Sequence, residues 1–113
     1  MEVTRLDPDY GVAGQIAAKD MAVIHALGYR TVICNRPDGE APEQELFAAI
    51  AAAAEGARLT ALCLPFTGAP PPEDTVDALA DAWPDLPKPV LAYCRSGARS
   101  TALWHAVKDR LET

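Results

Sequence analysis

Apolar positions along the chain fall into short runs that switch between two periods. Val3 to Leu6 reads as a short edge strand, the turn Asp7-Pro8-Asp9 follows, and Tyr10 to Ile16 holds a second short strand. Residues 17–27 take a helical spacing, with Met21, Ile24 and Leu27 on one face and Gly28 placed to stop the helix. Thr31-Val32-Ile33-Cys34 is β-branched and predicts a buried strand. Residues 43–55 predict an alanine-rich helix with Leu46, Phe47 and Ile50 on one side, closed by Gly56. Leu59 to Leu64 is the next strand, and the proline-rich loop 65–72 follows it. A helix resumes near Glu73 with Val76, Leu79 and Trp83 as its buried stripe, and Pro84 to Pro89 ends it. Val90 to Tyr93 is the last strand, and Gly97 to Leu111 the last helix, with Leu103, Val107 and Leu111 at four-residue steps.

The alternation of strand and helix predicts an α/β fold: a single domain over 1–113, with a mostly parallel central sheet and helices on both faces. Ligands of such sheets bind where the strands end at their carboxyl termini. The loops Asn35 to Glu40, Pro65 to Pro72 and Cys94 to Arg99 follow the three best strands. They are therefore expected on one edge, which is where chemistry is sought.

Composition narrows the partners. The chain has 113 residues, half of them apolar, enough for one core without staples. Ten basic residues against sixteen acidic ones give a net charge of −6, a poor match for nucleic acid or for an anionic membrane surface. The N-terminus Met-Glu-Val-Thr-Arg lacks an apolar signal core, and a cytoplasmic location is expected. The three cysteines, Cys34, Cys63 and Cys94, show no Cys-x-x-Cys or zinc-ligand spacing, and His25 and His105 stand alone on helices. No metal or organic cofactor is called for.

The segment Tyr93-Cys94-Arg95-Ser96-Gly97-Ala98-Arg99-Ser100 carries the chemical signal. A buried strand delivers Cys94 to the edge, and a short loop turns at once into a helix. The loop's N–H groups, from Ser96, Gly97 and Ala98 onward, converge on the space above the sulfur, and the helix N-terminus adds partial positive charge. Arg95 and Arg99 add full charges, Arg99 as a planar fork suited to an oxyanion. These features favour a thiolate, so the Cys94 pKa is expected to be depressed. Ser100 is expected to donate a hydrogen bond to the same sulfur, and Gly97 to supply an unusual backbone angle. Cys34 and Cys63 lie within apolar strands and read as small core residues.

Cys-Arg-Ser-Gly-x-Arg-Ser behind an apolar strand resembles a rhodanese active-site loop, and also the phosphate loop of cysteine-dependent phosphatases. The wider pattern is Gly14-Gln15, Val32 to Glu40, Pro89 to Gly97 and Leu103-Trp104. It resembles a bacterial family of phosphatase-like, sulfur-transferase domains, found alone or at the N-terminus of beta-lactamase hydrolase-like proteins, ahead of a persulfide dioxygenase. The resemblance implies a dual-specificity-phosphatase-like fold and leaves two reactions open.

The loop count favours sulfur transfer. Four residues separate Cys94 from Arg99, where cysteine phosphatases have five, and a narrower loop suits a persulfide sulfur. A phosphatase also needs an acid for the leaving oxygen. Trp83-Pro84-Asp85 looks like an acid loop, but the strand Pro89 to Tyr93 separates it from Cys94 by on the order of 20 Å. Asp38 and Glu40 are on the correct edge; Asp38 is taken as the catalytic candidate. Arg36, with Arg95, Ser96, Gly97, Ala98 and Ser100, is taken as anion-binding, unless Arg36 simply pairs with Asp38 or Glu40. Gln15 is expected to line the pocket. The leading expectation is a sulfurtransferase working through a Cys94 persulfide, with a small anionic sulfur donor and an acceptor thiol as partners. The alternatives are a phosphatase acting on a phosphoester and a non-catalytic anion-binding or redox-sensing module.

Overall fold

The computed structural model describes residues 1–111; the last two residues of the predicted domain lie outside them. Five strands form one sheet in the order β1-β2-β5-β3-β4. They are β1 (Val3–Asp7), β2 (Tyr10–Ala13), β3 (Thr31–Cys34), β4 (Thr60–Cys63) and β5 (Val90–Tyr93). Only the β1–β2 pair is antiparallel; β2, β5, β3 and β4 run in parallel. The helices are α1 (Met21–Ala26), α2 (Phe47–Gly56), α3 (Glu73–Ala82) and α4 (Ala98–Leu111), with short 3-10 turns at Ala18–Asp20 and Trp83–Asp85. Among the described residues no helix is long and apolar enough to cross a membrane.

Alternation along the strands builds two cores. Val32, Cys34, Leu91 and Tyr93 pack with Ile24, Ile50 and Ala54 from α1 and α2. Ile33, Val90, Ala92 and Tyr10 pack with Val76, Leu79, Leu103 and Val107 from α3 and α4. Tyr10 stacks on Trp104 with ring centroids 4.5 Å apart, and Trp83 tilts against Trp104 at 5.4 Å. The expected helices on both faces are present, as is the exact extent of β3 and β5.

Several expectations fail at the margins. Cys63 is exposed, because β4 is the edge strand and has a neighbour on one side only. Leu27 and Leu46 are also exposed, at 52% and 56%, rather than part of helix-buried faces. Leu27 lies just past the end of α1 and Leu46 just before the start of α2. The latter helix starts at Phe47 instead of residue 43, where the Asp38 carboxylate accepts the first helical N–H at 2.9 Å.

Register fixes the site. Tyr93 is level with both Ala13 and Cys34, and Cys34 is level with Cys63. The loops that leave β2, β5, β3 and β4 therefore start from one row at one edge of the sheet. Asp85 lies in the turn before β5, at the opposite end of the strand from Cys94. The expectation that Trp83-Pro84-Asp85 is remote from the cysteine holds.

Candidate active site

Cys94 is the first residue past β5 and is buried, and its own N–H still reaches the Ala13 carbonyl at 3.3 Å. The chain then doubles back over the sulfur. Gly97 makes this possible with φ +95°, and its N–H donates to Cys94 Sγ at 3.0 Å. Gly14 has a different reason to be glycine: a Cβ there would sit 3.0 Å from the Arg95 carbonyl. With no side chain at that point, the Gln15 N–H donates to the same carbonyl at 3.3 Å and seats the loop against the end of β2.

Two effects act on the Cys94 thiol. Burial favours the neutral form and is the largest single effect. The backbone N–H groups of Ser100, Ser96, Arg99 and Gly97 oppose it and together prevail, so the pKa falls below the ordinary thiol value. The start of α4 at Ala98 adds its dipole in the same sense.

The side chains around the loop have other partners than the sequence suggests. The Ser100 hydroxyl donates to Asn35 Oδ1 at 2.8 Å and not to the sulfur; only its backbone N–H faces Cys94. The Ser96 hydroxyl accepts the Ala98 N–H at 3.3 Å, so that N–H is engaged in capping the helix start. Arg95 is exposed at the rim. Arg36 is buried; its Nε donates to Glu40 at 3.0 Å and its Nη1 to Gln15 Oε1 at 3.0 Å. Arg99 grips Glu40 with both arms, at 2.8 and 2.7 Å, donates to the Phe66 carbonyl at 3.0 Å, and also faces the Cys94 sulfur.

Glu40 therefore bridges Arg99 and Arg36. Their hydrogen bonds and charge, Arg99 foremost, outweigh a smaller opposing effect of burial and hold its carboxyl down at about 2. A group so fully ionised is no proton donor near neutrality, which removes one of the two acids considered. The other, Asp38, holds the start of α2 through the Phe47 N–H.

Asn35 escapes sequence reasoning. It is fully buried, donates from its side chain to the Leu64 carbonyl at 2.9 Å and accepts from Ser100. Its backbone N–H donates to the Tyr93 carbonyl at 2.8 Å, and its carbonyl accepts the Phe66 N–H at 3.2 Å. One residue thus ties together the loops after β3, β4 and β5. The only hint in the sequence is a polar side chain immediately after an apolar strand. The Arg36–Glu40 pair, by contrast, is signalled by its four-residue spacing.

Beside the loop, an open cleft of about 670 Å³ separates the β1–β2 hairpin from the start of α4. Its walls include Thr4, Leu6, Val12, Gln15, Gly97 and Thr101. Cys34 and Cys63 are not part of the loop. Cys34 is buried, its thiol donates to the Arg36 carbonyl at 3.1 Å, and burial pushes its pKa up.

A thiol under converging N–H groups, at the carboxyl edge of a mostly parallel sheet and the N-terminus of a helix, defines a cysteine-phosphatase-like α/β domain. Residues 2–110 match the family described as "Beta-lactamase hydrolase-like protein, phosphatase-like domain", and the chain belongs to that family. The beta-lactamase hydrolase-like protein of Agrobacterium fabrum is 29% identical over 104 residues. The match covers 92% of this chain and 24% of that protein, so the chain spans about a quarter of the curated relative's length. A "putative phosphatase" from Neisseria meningitidis Z2491 superposes with a TM-score of 0.83 at 35% identity, over 92% of this chain and 74% of that one. TpbA from P. aeruginosa in complex with pTyr shares the fold alone, with a TM-score of 0.60 at 19% identity over 88% of this chain and 56% of its own.

Proposed function

We propose that this domain is a cysteine-dependent phosphatase working through a Cys94 phosphocysteine. The observation that carries the reading is the set of four backbone N–H groups, from Ser96, Gly97, Arg99 and Ser100, directed at a buried sulfur whose pKa is depressed. The Cys94 thiolate attacks phosphorus, the ester P–O bond breaks, and the leaving oxygen departs with a proton. Water then attacks the phosphocysteine, releasing phosphate and restoring the thiolate. The N–H groups stabilise the thiolate before attack and the phosphoryl oxygens as charge shifts onto them. The phosphatase-like name of the family and the phosphatase name of the Neisseria structure support phosphoryl transfer over the sulfur transfer that the loop count favours.

Sulfur transfer is the second reading, favoured by the four-residue spacing from Cys94 to Arg99 and by the commitment of both candidate acids elsewhere. There the thiolate attacks the outer sulfur of thiosulfate, sulfite leaves, and the Cys94 persulfide passes its sulfur to a thiol. The test is a paired assay on one preparation, with p-nitrophenyl phosphate in one arm and thiosulfate with cyanide in the other, each with a Cys94→Ser control. Phosphate release well above sulfur transfer, lost in the control, is expected. Dominant thiocyanate formation overturns the phosphatase reading, and turnover by Cys94→Ser overturns both.

A further inference from the structure

Two observations about charge and protons at the Cys94 loop point the same way. The first is the counterweight on the arginines. Arg99, which faces the sulfur, has its bidentate face filled by Glu40, whose second partner is the buried Arg36. Arg36 and Arg99 together bring two positive charges, and Glu40 removes one of them. The thiolate removes another, and Arg95 at the rim restores one. The second observation is that both candidate acids at this edge, Asp38 and Glu40, already have partners. The Asp38 carboxylate is turned to the start of α2, and Glu40 lies in its double ion pair.

We infer that the site selects the monoanion of a phosphomonoester, the form that carries one proton on its phosphate, and that Glu40 sets this selectivity. The inference rests on the phosphatase reading and names its substrate's charge state. The site has less positive charge than a dianion needs, and the monoanion brings its own proton to the leaving oxygen. Attack by the Cys94 thiolate on ROPO₃H⁻ forms the S–P bond and breaks the P–O bond. The phosphate proton moves to the leaving oxygen, giving ROH and a doubly charged phosphocysteine. Water then returns the thiolate and H₂PO₄⁻, so atoms and charge balance at both steps.

The direct reading of Glu40 needs no turnover. Alkylation of Cys94 by iodoacetamide is followed by peptide mass analysis, which separates it from the exposed Cys63. Perchlorate and sulfate serve as protecting anions, both tetrahedral but of charge one and two. A carboxylate's repulsion of a dianion is twice its repulsion of a monoanion, so removing it multiplies affinity by the square of the monoanion's factor. Glu40→Gln is expected to strengthen protection by perchlorate about tenfold and by sulfate about a hundredfold. Glu40→Asp, which keeps the charge, is expected to keep the wild-type ratio between the two anions. Equal gains for both anions in Glu40→Gln, no gain for either, or a changed ratio in Glu40→Asp overturns the role of Glu40.

With an aryl phosphate, kcat/KM of the wild type is expected to fall tenfold per pH unit on the alkaline side, above both the ester's second pKa of about 6 and the pKa of the Cys94 thiol, which iodoacetamide alkylation measures separately. A profile that stays flat above both pKa values, with turnover intact, overturns the monoanion while leaving the phosphatase reading standing. Absence of any Cys94-dependent phosphate release strikes that reading itself, and the anion-protection result still decides what Glu40 does.

Discussion

Replacing Asn35 by alanine tests whether the site is held as one piece. The substitution removes two side-chain hydrogen bonds, to the Leu64 carbonyl at 2.9 Å and from the Ser100 hydroxyl at 2.8 Å, in a residue with no exposed surface. Each bond contributes about 0.5–1.5 kcal/mol net, and a buried partner left without a bond costs about 1–3 kcal/mol. Because the Ser100 hydroxyl can turn and the Leu64 carbonyl lies in a loop, the sum is about 2–4 kcal/mol. Urea unfolding followed by tryptophan fluorescence reads this directly, since Trp104 is buried in the core beside Tyr10. The Asn35–Ser100 bond is separable by a double-mutant cycle with Ser100→Ala, where a coupling of about 1–2 kcal/mol is expected. The same variants should slow Cys94 alkylation near neutral pH, because a looser α4 start aims fewer N–H groups at the sulfur. A cost below about 1 kcal/mol, or strict additivity with Ser100→Ala, refutes the idea that Asn35 ties the three loops together.

Asp38→Ala removes the acceptor of the first N–H of α2 and should cost about 1 kcal/mol in urea unfolding; no loss contradicts the capping role. Gly97→Ala forces an L side chain to φ +95°, with the new Cβ 3.5 Å from the Ala13 carbonyl oxygen, and should destabilise by about 1–3 kcal/mol while slowing Cys94 alkylation. Glu40 has a folded pKa of about 2, below its unfolded value near 4.3, so its stabilisation is complete above the unfolded value and is lost as pH falls toward the folded one. The melting-temperature gap between wild type and Glu40→Gln should therefore narrow from about pH 5 downward, and a gap that stays constant to pH 2 contradicts the double ion pair.

The central strands were legible because they are buried on both faces, which leaves continuous β-branched and apolar runs at Thr31–Cys34 and Val90–Tyr93. The edge was not. Thr60–Cys63 has the same apolar look, yet Cys63 faces solvent, since composition does not say which strand ends the sheet. Helix boundaries shift where a side chain outside the helix's own flanking residues sets them, as Asp38 does for α2. The nucleophile loop was readable from local order alone: strand, cysteine, glycine, helix. Its surroundings depend on which loops register brings together: local order gives no sign of Asn35's role, does not show that the Ser100 hydroxyl bonds Asn35, and does not show that two arginines hold Glu40 ionised.

The most direct test of the account is to trap the intermediate. Wild-type protein and Cys94→Ser are each mixed with p-nitrophenyl phosphate, quenched in acid within a turnover, and measured by intact and peptide mass spectrometry. The account predicts a mass gain of one phosphoryl group, located on Cys94 and absent from the variant. Phosphate release with an unmodified Cys94, or a phosphoryl group found on another residue, would contradict it.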